Sequence, residues 1–411
     1  MLRILVQKFG GSSLASPEGR EAAAGRVLHA VREGSRPVVV VSALGRRGDP
    51  YATDTLLDLA RRERTALPAR ELDLLLACGE QIAAAVMCAV LRRHGLEAVA
   101  LTGGQAGIVT DAHFGDARIL RVDPQPLQRI LDRGQVPVVA GFQGITEAGD
   151  ITTLGRGGSD TTAAALGAVL AAEAIEIYTD VDGVYTADPR VVPEARTLVT
   201  VTYEEVAQMA VEGARVIHPR AIEIAMRANV PVRVRSTFSD AAGTLITHAW
   251  QADRLWTARE GRVVTGLAHI PGLALFKVFT PEGAGGHGRS ELRIFRTLAD
   301  AGISVDMINV SPERKAFVIR EDEAAEARRL LAGLGFEVSV REGCVKITVI
   351  GNGMRGMPGV MARVVESLDA ADVDILLSVD SHITISCLVA QEHLERAVRA
   401  LHEGFDLAEG E

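Results

Sequence analysis

The chain has 411 residues, of which 47% are hydrophobic, 24% are charged and 4% are aromatic, and its formal net charge is −9. A chain of this length is too long for one hydrophobic core and predicts two or three domains. The negative charge and the lack of any run of Lys and Arg argue against a surface that binds nucleic acid or an anionic membrane. We therefore expect neither as a partner.

The N-terminal segment and the cysteines indicate the compartment. Residues 2–6 are largely apolar, but Arg3 interrupts them and Lys8 follows closely, which is not the pattern of a signal peptide. The cysteines lie in apolar stretches without CxxC spacing, which predicts reduced thiols in the core. We expect a cytoplasmic protein without a membrane partner. The cysteines are Cys78, Cys88, Cys344 and Cys387.

Residues 1–247 alternate short apolar runs with longer helical patterns. The runs are continuously apolar, as in strands covered on both faces. The helix predicted from Ser16 to Glu33 has Ser16 as its N-cap, Pro17 in its first turn and Gly34 at its end. Repeated βα units predict a largely parallel sheet flanked by helices. The strand sequences are LRILVQ, PVVVVSA, AVALT, VPVVAGF, AIEIYTD and VPVRVRS.

The C-terminal part reads as two copies of one small module. Residues 248–262 are polar and lack periodicity, which predicts a linker. In 263–340 and again in 341–411, strands surround a helix that follows a glycine-containing loop, PEGAGGHG in the first and GNGMRGMPG in the second. This pattern predicts a tandem duplication of an α+β module. The sequence leaves open that the C-terminal strand and helix complete the first module.

The first motif, KFGGSS at residues 8–13, ends the first predicted strand. Ligands of open α/β sheets bind beyond the carboxyl ends of the strands. The glycines offer backbone N–H groups to a phosphate, and Lys8 can lie along a phosphate chain. The spacing fits neither a Walker loop nor a GxGxxG fingerprint. A plain strand turn remains the alternative for this motif alone.

The second motif, TTLGRGGSDTTAAALGA, joins Arg156, two glycines, Ser159 and Asp160 to an alanine-rich helix. A glycine loop at a helix N-terminus predicts an anion site, and arginine suits a carboxylate ligand. Asp160 would repel an anion unless it caps the helix or orients Lys8. A purely structural N-cap is the competing interpretation.

The third motif, IYTDVDGVYTADPR, carries Asp180, Asp182, Asp188 and Arg190 around a glycine turn. It lacks the spacing and the closing glutamate of an EF-hand. Contact with a nucleotide is the better interpretation, with Tyr185 beside the base or ribose and Arg190 near the phosphates.

Together the three motifs resemble the amino-acid kinase family, and within it the aspartate kinases. The C-terminal modules resemble that family's paired ACT domains, and GRRGDPYATDTLL is most similar to the monofunctional, diaminopimelate-responsive type. The resemblance implies a three-layer α/β/α kinase domain at 1–247, a linker at 248–262 and ferredoxin-like βαββαβ ACT modules at 263–340 and 341–411. We expect no dehydrogenase domain after them.

The resemblance implies an activity that elementary chemistry supports. Aspartate kinases transfer the γ-phosphoryl group of ATP to the β-carboxylate of L-aspartate, the first step towards lysine, threonine and methionine. A carboxylate is ionised at neutral pH, so this nucleophile needs no general base. The site must instead align two anions and offset their charge. Magnesium is expected on the phosphates, and we assign it no protein ligand.

By the same resemblance, Lys8 stabilises the transferring phosphoryl group and Asp160 orients Lys8. Arg156 binds the substrate α-carboxylate, and Glu80 pairs with the substrate ammonium. The remaining residues implied to bind aspartate are Ser13, Ser42, Thr53, Gly157 and Ser159. Those implied to bind ATP are Lys8, Phe9, Gly10, Gly11, Ser12, Thr179, Asp180, Tyr185, Thr186, Ala187, Asp188, Pro189, Arg190 and Arg215.

Two residues near the HPRA segment, Arg215 and His218, are expected to have different roles. Many relatives carry lysine where this chain has Arg215, which keeps the charge but changes the geometry of the ATP contact. His218 is expected to cap or pack at the helix that begins with Pro219, and not to take part in the chemistry.

The ACT modules imply regulation by an amino acid bound at a paired interface. The resemblance places that effector between the loops 283–288 and 353–360 and the facing strands 304–310 and 375–382. Such pairing implies a homodimer or a larger homo-oligomer. The sequence leaves open whether diaminopimelate, lysine, threonine or a combination is the effector.

Two other functions remain as alternatives. One is a kinase of the same fold for another carboxylate or carbamate, such as acetylglutamate, which lacks the ammonium that Glu80 is expected to bind. The other is an amino-acid sensor without enzymatic activity. The presence of Lys8, Arg156 and Asp160 together argues against that sensor.

Overall fold

The computed structural model describes residues 3–62, 67–214, 216–249, 263–279, 289–354 and 356–409. The chain forms two compact units. As far as these ranges are described, the first unit comprises Met1–Val184, Thr197–Ala210 and Arg215–Thr257, and the second comprises Tyr185–Arg196, Val211–Ala214 and Ala258–Glu411.

The first unit alternates strands and helices. Its strands are β1 (Ile4–Phe9), β2 (Arg36–Val41), β3 (Ala98–Leu101), β4 (Ile108–Thr110), β5 (Ile119–Val122), β6 (Val136–Ala140), β7 (Gln143–Thr146), β8 (Ile151–Thr153), β9 (Ala174–Thr179), β10 (Thr200–Thr202), β11 (Val232–Ser236) and β12 (Thr244–Thr247). Its helices are α1 (Gly11–Leu14), α2 (Pro17–Arg32), α3 (Thr53–Arg62), α4 (Ala69–Arg93), α5 (Gln125–Asp132), α6 (Gly158–Val169), α7 (Tyr203–Val211, which ends in the second unit) and α8 (Pro219–Ala228).

The main sheet of this unit has eight strands in the order β10-β12-β11-β9-β1-β2-β6-β3. The six strands from β11 to β3 are parallel, whereas β12 runs antiparallel to β11. Phe9 pairs with both Val41 and Tyr178, so β1, β2 and β9 end at the same edge. The predicted parallel sheet is confirmed. Its carboxyl edge carries the first motif at the end of β1 and the start of the third motif at the end of β9, and Asp160 of the second motif pairs there with Lys8.

Helices cover both faces of the main sheet. On one face α2 and α4 pack on Phe9, Val41 and Tyr178. On the other face α6 packs closely on β1 and β9, since a methyl group at Gly167 would lie 2.5 Å from Ile175. The three-layer α/β/α prediction is thereby confirmed.

Two parts of this unit differ from the sequence interpretation. The strand β11 is not continuously buried, because Arg233 and Arg235 alternate with buried valines along it. A second sheet, β5-β4-β7-β8, was not predicted from the sequence. Its strands are only three or four residues long, too short to produce a periodic signal.

The predicted details of α2 are confirmed. The Ser16 side chain accepts a hydrogen bond from Gly19 N at 3.1 Å, and Pro17 begins the helix. Gly34, with φ 81°, follows the helix end in the left-handed conformation that glycine adopts without a steric cost.

The longest helix, α4, lies in the core. In the described ranges it is the one helix long and apolar enough to cross a membrane. It packs instead against α2 and the main sheet through Ala83, Ala84, Met87 and Leu91. Its apolar character is therefore that of a core helix.

The cysteines are free thiols, as predicted. Cys88, Cys344 and Cys387 are buried, while Cys78 is half-buried. Burial raises the pKa of Cys88 and of Cys387 to about 11, so both thiols stay protonated at neutral pH.

The second unit is an α+β domain. Its strands are β13 (Gly266–Phe279), β14 (Asp306–Val310), β15 (Arg314–Arg320), β16 (Glu337–Ile350), β17 (Leu377–Asp380) and β18 (Thr384–Ala390). Its helices are α9 (Arg289–Asp300), α10 (Ala324–Gly333), α11 (Val360–Ala370) and α12 (Leu394–Gly404).

Both C-terminal modules share one antiparallel sheet, β14-β15-β13-β16-β18-β17. The long strands β13 and β16 pair along both halves, with irregular register between Ile270 and Leu275. One core cluster contains Phe276, Phe317 and α9 and α10 side chains, and another contains Leu267, Ile347 and α11 and α12 side chains. The predicted tandem α+β modules are confirmed.

The module boundary at residue 340 cuts through a continuous sheet. The first half of β13, from Gly266 to Ile270, pairs with the second half of β16 and belongs to the second cluster through Leu267. The helix α12 also packs in the second cluster. Residues 250–262 of the expected linker lie outside the described residues, and the division at 247, 262 and 340 stays a prediction.

Candidate active site

The loops that follow β1, β2, β6 and β9 form the candidate site, and Lys8 lies at its centre. The Nζ atom of Lys8 is 2.7 Å from Oδ1 of Asp160, and the two side chains are only 13% and 12% exposed. Asp160 lies in the first turn of α6, but the N-cap residue is Gly157, which has no side-chain cap. Of the two interpretations, Asp160 thus pairs with Lys8.

The turn after Lys8 needs glycine for steric reasons. A methyl group at Gly11 would lie 2.6 Å from Ala43 O and 2.7 Å from Gly45 O. Gly45 N also donates to Gly11 O at 2.9 Å. The backbone of this turn therefore lies directly against the loop after β2.

The remaining residues of the first motif differ in exposure. Phe9 is fully buried and stacks on Tyr178 with 4.8 Å between ring centroids. Ser13 is fully buried and its hydroxyl accepts a hydrogen bond from Thr237 at 2.7 Å. Ser12 is half-buried. Lys8, the glycine turn and Ser12 therefore lie at the surface of the site, whereas the side chains of Phe9 and Ser13 lie in the core.

Glu80, on α4, is a buried carboxylate with an unused oxygen. It is 2% exposed, and Oε1 accepts from Ala43 N at 3.1 Å. The other oxygen, Oε2, is buried and has no hydrogen-bond partner among the described residues. Burial raises the pKa of Glu80 to about 8. A cation that reached Oε2 would offset this cost and restore the charged form.

The loop of the second motif carries an exposed arginine. Arg156 is exposed and forms no ion pair with any residue in the described part of the chain. Gly157 has φ 68°, and a methyl group there would lie 2.2 Å from the His218 ring. Ser159 is buried beside Gly141, at the end of β6. The guanidinium is thus held on a tightly packed loop.

Two further predicted substrate residues lie after β2. Ser42 is half-buried, and its backbone N donates to Phe9 O at 3.1 Å, joining the ends of β2 and β1. Ser42 is also next to Ala43, which binds Glu80. Thr53 is half-buried at the start of α3. The structure brings Ser42 and Glu80 together at one loop.

The predicted nucleotide residues divide between the two units. In the first unit, Thr179 donates to Asp180 at 3.1 Å, and Asp180 pairs with Arg46. Residues 185–190 belong to the second unit, so the structure describes no single site for all of them. Arg215 lies outside the described residues.

In the second unit, several residues of the predicted nucleotide segment 185–190 already contact other residues of the protein. Thr186 is fully buried, with Oγ1 3.0 Å from Nε2 of His402, and Ala187 lies in the second core cluster. Arg190 is exposed and forms a bidentate pair with Asp188, whose pKa is lowered by these bonds. Tyr185 and Pro189 are partly or fully exposed. Only the exposed members offer side chains to a ligand.

His218 caps a helix, as predicted. Its Nδ1 accepts from Arg220 N at 3.3 Å at the start of α8, and its ring packs over Gly157. Burial lowers the pKa of His218, so the ring is neutral at physiological pH. The His218 ring therefore supports the Arg156 loop by packing against Gly157.

Metal ligands are also relevant, since phosphoryl transfer uses a divalent cation. In the ranges that the structure describes, no group of three or more His, Cys, Asp or Glu side chains could hold a metal ion. The residues of the site therefore fit a cation that is bound mainly by phosphate oxygens and water.

Comparison with known proteins identifies the family of the chain. A model of the amino acid kinase family matches residues 3–236, and an ACT domain model matches residues 347–405. The chain is 46% identical over 407 residues to aspartokinase 1 of Bacillus subtilis, covering 99% of this chain and 100% of that protein.

The chain belongs to the aspartokinases, within the amino acid kinase family.

Solved structures of aspartokinases share the fold over the whole chain. Aspartokinase III of E. coli in complex with aspartate and ADP is 26% identical, with a TM-score of 0.76 and coverage of 98% of this chain and 99% of that one. The same enzyme in complex with lysine and aspartate is 27% identical, with a TM-score of 0.75 and the same coverage. The family assignment and the two-part fold predicted from the sequence are confirmed.

Some contacts in this chain had little or no signal in the sequence. Arg46 is a loop residue whose pairing with Asp180 joins segments 134 residues apart. Asp73 is a buried carboxylate on α4 that binds β8. A charged residue inside an apolar helix, seven positions before Glu80, was the only available hint for Asp73.

Proposed function

We propose that this chain catalyses transfer of the γ-phosphoryl group of ATP to the β-carboxylate of L-aspartate, giving 4-phospho-L-aspartate. The supporting observation is the buried, unused oxygen of Glu80 in the same unit as the exposed Arg156 and the Lys8–Asp160 pair. An amino-acid substrate requires an anion for its ammonium and a cation for its α-carboxylate. Glu80 and Arg156 supply these two groups.

Glu80 makes the site selective for a substrate with a free amino group. Its raised pKa means that, without bound substrate, this carboxyl is largely protonated near neutral pH. The substrate ammonium stabilises the charged form, so binding expels the proton. An N-acylated substrate offers no such cation, which argues for aspartate over acetylglutamate.

Lys8 offsets charge on the phosphoryl group during transfer. The reaction brings a carboxylate anion to a polyanionic phosphate chain, and the ammonium of Lys8 reduces their repulsion. Asp160 holds Nζ in place at 2.7 Å without a general-base role. The substrate carboxylate is already ionised, so no residue has to remove a proton.

Magnesium enters as part of the nucleotide substrate. When bound with the nucleotide, it would supply positive charge that offsets the charge of the phosphates. Lys8, the glycine turn and Ser12 bind the phosphates beside it. Thr179, Asp180 and the exposed members of 185–190 are the proposed nucleotide contacts.

The second unit binds an amino-acid effector and pairs with a second copy of the chain. The strand β14 is an edge strand that exposes Ile308 and Val310, which are 47% and 53% accessible. An exposed apolar edge favours pairing with another sheet. The proposed effector contacts are the segments 304–310 and 375–382, which contain β14 and β17, and the loop 353–360. The loop 283–288 and Arg355 lie outside the described residues.

Trapping of the acyl phosphate as a hydroxamate tests the activity. The full chain with ATP and L-aspartate is expected to give product, whereas N-acetyl-L-aspartate and acetylglutamate are expected to give none. Lysine, threonine and diaminopimelate, singly and combined, test the effector site in the same assay. Product from an N-acylated acid in preference to aspartate would overturn the proposed pocket, and activity unchanged by all three amino acids would overturn the regulation.

A further inference from the structure

Asp73 is a buried carboxylate held entirely by uncharged donors. It is 1% exposed, and no residue in the described part of the chain supplies it with a cation. Oδ2 accepts from Thr153 N at 2.7 Å and from Gly115 N at 3.0 Å, and Oδ1 accepts from the Thr153 hydroxyl at 2.8 Å. A buried charge is tolerated only with such a complete set of hydrogen bonds.

These bonds fix the strand end that leads to Arg156. Thr153 is the last residue of β8, and Arg156 follows three positions later. The Thr153 carbonyl also accepts from Ala117 N at 2.9 Å. Through Thr153 and Gly115, Asp73 therefore ties two segments beside the Arg156 loop to α4.

The far side of the same loop is anchored by α8. Arg220 donates to Leu154 O at 3.1 Å and pairs with Asp116 at 3.1 Å. The His218 ring packs over Gly157. The backbone on both sides of Arg156 is thus fixed, and Asp73 provides the attachment to α4.

The same helix carries the other end of the proposed substrate site. Asp73 and Glu80 are seven residues apart on α4, so they lie two turns apart on one face. Glu80 carries the buried oxygen without a partner that we assign to the substrate ammonium, and Asp73 binds the strand that leads to Arg156. One helix therefore sets the separation of the two groups.

We propose that Asp73 is a positioning residue for L-aspartate recognition: it holds the Arg156 loop at the distance from Glu80 that the α-carboxylate and the ammonium of one amino acid require. This inference rests on the roles proposed above for Arg156 and Glu80. Asp73 does not contact the substrate. Its contribution is the placement of the guanidinium.

The test compares L-aspartate with L-aspartic acid α-amide, which lacks the α-carboxylate. Initial rates give kcat/KM for each, and their ratio measures recognition of that carboxylate. The full-length wild type is expected to prefer L-aspartate by about 100-fold, as for a lost charge-assisted pair. Arg156→Ala is expected to reduce the ratio to near one.

In Asp73→Ala the ratio is expected to fall about tenfold or more, with KM for ATP within about twofold of wild type, because an ångström-scale shift weakens a positioned contact. Asp73→Asn is expected to restore the ratio, since its amide oxygen accepts from both N–H groups and the Thr153 hydroxyl turns to accept from the amide. If Asp73→Ala does not fold, Asp73→Glu decides, because it keeps the acceptors but displaces β8.

Arg70→Ala is the matched control. Arg70 lies one turn earlier on α4 and binds the half-buried Asp150 in the β7–β8 turn, so its loss is expected to leave the ratio unchanged. If a folded Asp73→Ala or Asp73→Glu protein has the same ratio of kcat/KM values as the wild type, this inference is overturned and the proposed function is not. An unchanged ratio in Arg156→Ala, or no activity of the wild type with L-aspartate, would overturn the proposed function and this inference with it.

Discussion

The environment of Glu80 favours the binding of a cation. Its carboxyl is buried and its pKa is raised to about 8, well above the usual value for glutamate. In the free protein the folded state therefore holds a proton that the unfolded chain releases. Burial of the Glu80 carboxyl therefore lowers the stability of the free protein, but it keeps a carboxyl in place for a substrate cation.

The pH dependence of stability tests this property. Between about pH 4.5 and 8 the folded protein binds the Glu80 proton and the unfolded chain does not, so this group lowers the free energy of unfolding as pH rises. Glu80→Gln is expected to match the wild type near pH 4.5 and to be more stable near pH 8, measured by urea denaturation without substrate. Parallel curves for the two proteins would show that Glu80 has an ordinary pKa.

Lys8 and Asp160 are expected to act as a pair. In Lys8→Met, kcat is expected to fall about 100-fold to 1,000-fold, because a charge aimed at the transferring group is lost. Stability should also fall, since Asp160 stays buried without its ammonium. The double variant Lys8→Met/Asp160→Asn is expected to regain stability but not kcat. Recovery of kcat in the double variant would contradict a direct role for Lys8.

At the scale of elements, the Arg156 loop depends on glycine. Gly157 has φ 68°, and a methyl group there would lie 2.2 Å from the His218 ring. Gly157→Ala is expected to lower the free energy of unfolding by more than about 1 kcal/mol, which the backbone conformation alone costs. It should also raise KM for aspartate more than KM for ATP.

A second glycine supplies the control. Gly25 lies within α2, and a methyl group there would meet nothing within 4 Å. Gly25→Ala is expected to stabilise the protein by about 0.5–1 kcal/mol through helix propensity, with unchanged kinetics. If the two substitutions change the kinetics equally, the conformation of Gly157 is not specifically required for aspartate binding.

The strands and helices that form the site were predictable because their signals are local. Continuous apolar runs identified β1, β2, β6 and β9, and cap residues identified α2. The motifs at the strand ends then indicated where Lys8, Asp160 and Arg156 meet. The family resemblance supplied Glu80, which periodicity alone did not distinguish from a surface glutamate.

The remaining features depend on contacts between distant segments. The small sheet of β4, β5, β7 and β8 has strands too short for a periodic signal. The hydrogen bonds between Asp73 and Thr153 join residues 80 positions apart, and the contact between Thr186 and His402 joins residues 216 positions apart. Such pairs are set by tertiary packing, which a single sequence does not encode in any local pattern.

At the scale of the whole molecule, the chain consists of two units, each with its own core. In the second unit, Lys346 is nearly buried between Glu212 and Asp306, with 2.8 Å between its Nζ and Glu212 Oε2. The Thr348 hydroxyl donates to the same carboxylate at 2.9 Å. This network joins the segment 211–214 to the six-stranded sheet.

Loss of this lysine is expected to destabilise the second unit. Lys346→Met removes the ammonium from a buried carboxylate, and such a change costs about 3–5 kcal/mol. Thermal unfolding of the full chain is expected to show a lower midpoint, with kcat below the melting range within about twofold of wild type when no effector is present. A large loss of kcat in a folded protein would show that the network also serves catalysis.

Calorimetry of aspartate binding tests most directly whether Glu80 receives the substrate ammonium. Titration at pH 7 in buffers of different ionisation enthalpy gives the number of protons released per L-aspartate bound. Release of nearly one proton by the wild type is predicted, because the ammonium lowers a pKa that starts near 8, and release of none by Glu80→Gln. Aspartate binding without proton release, or equal release by both proteins, would contradict this assignment.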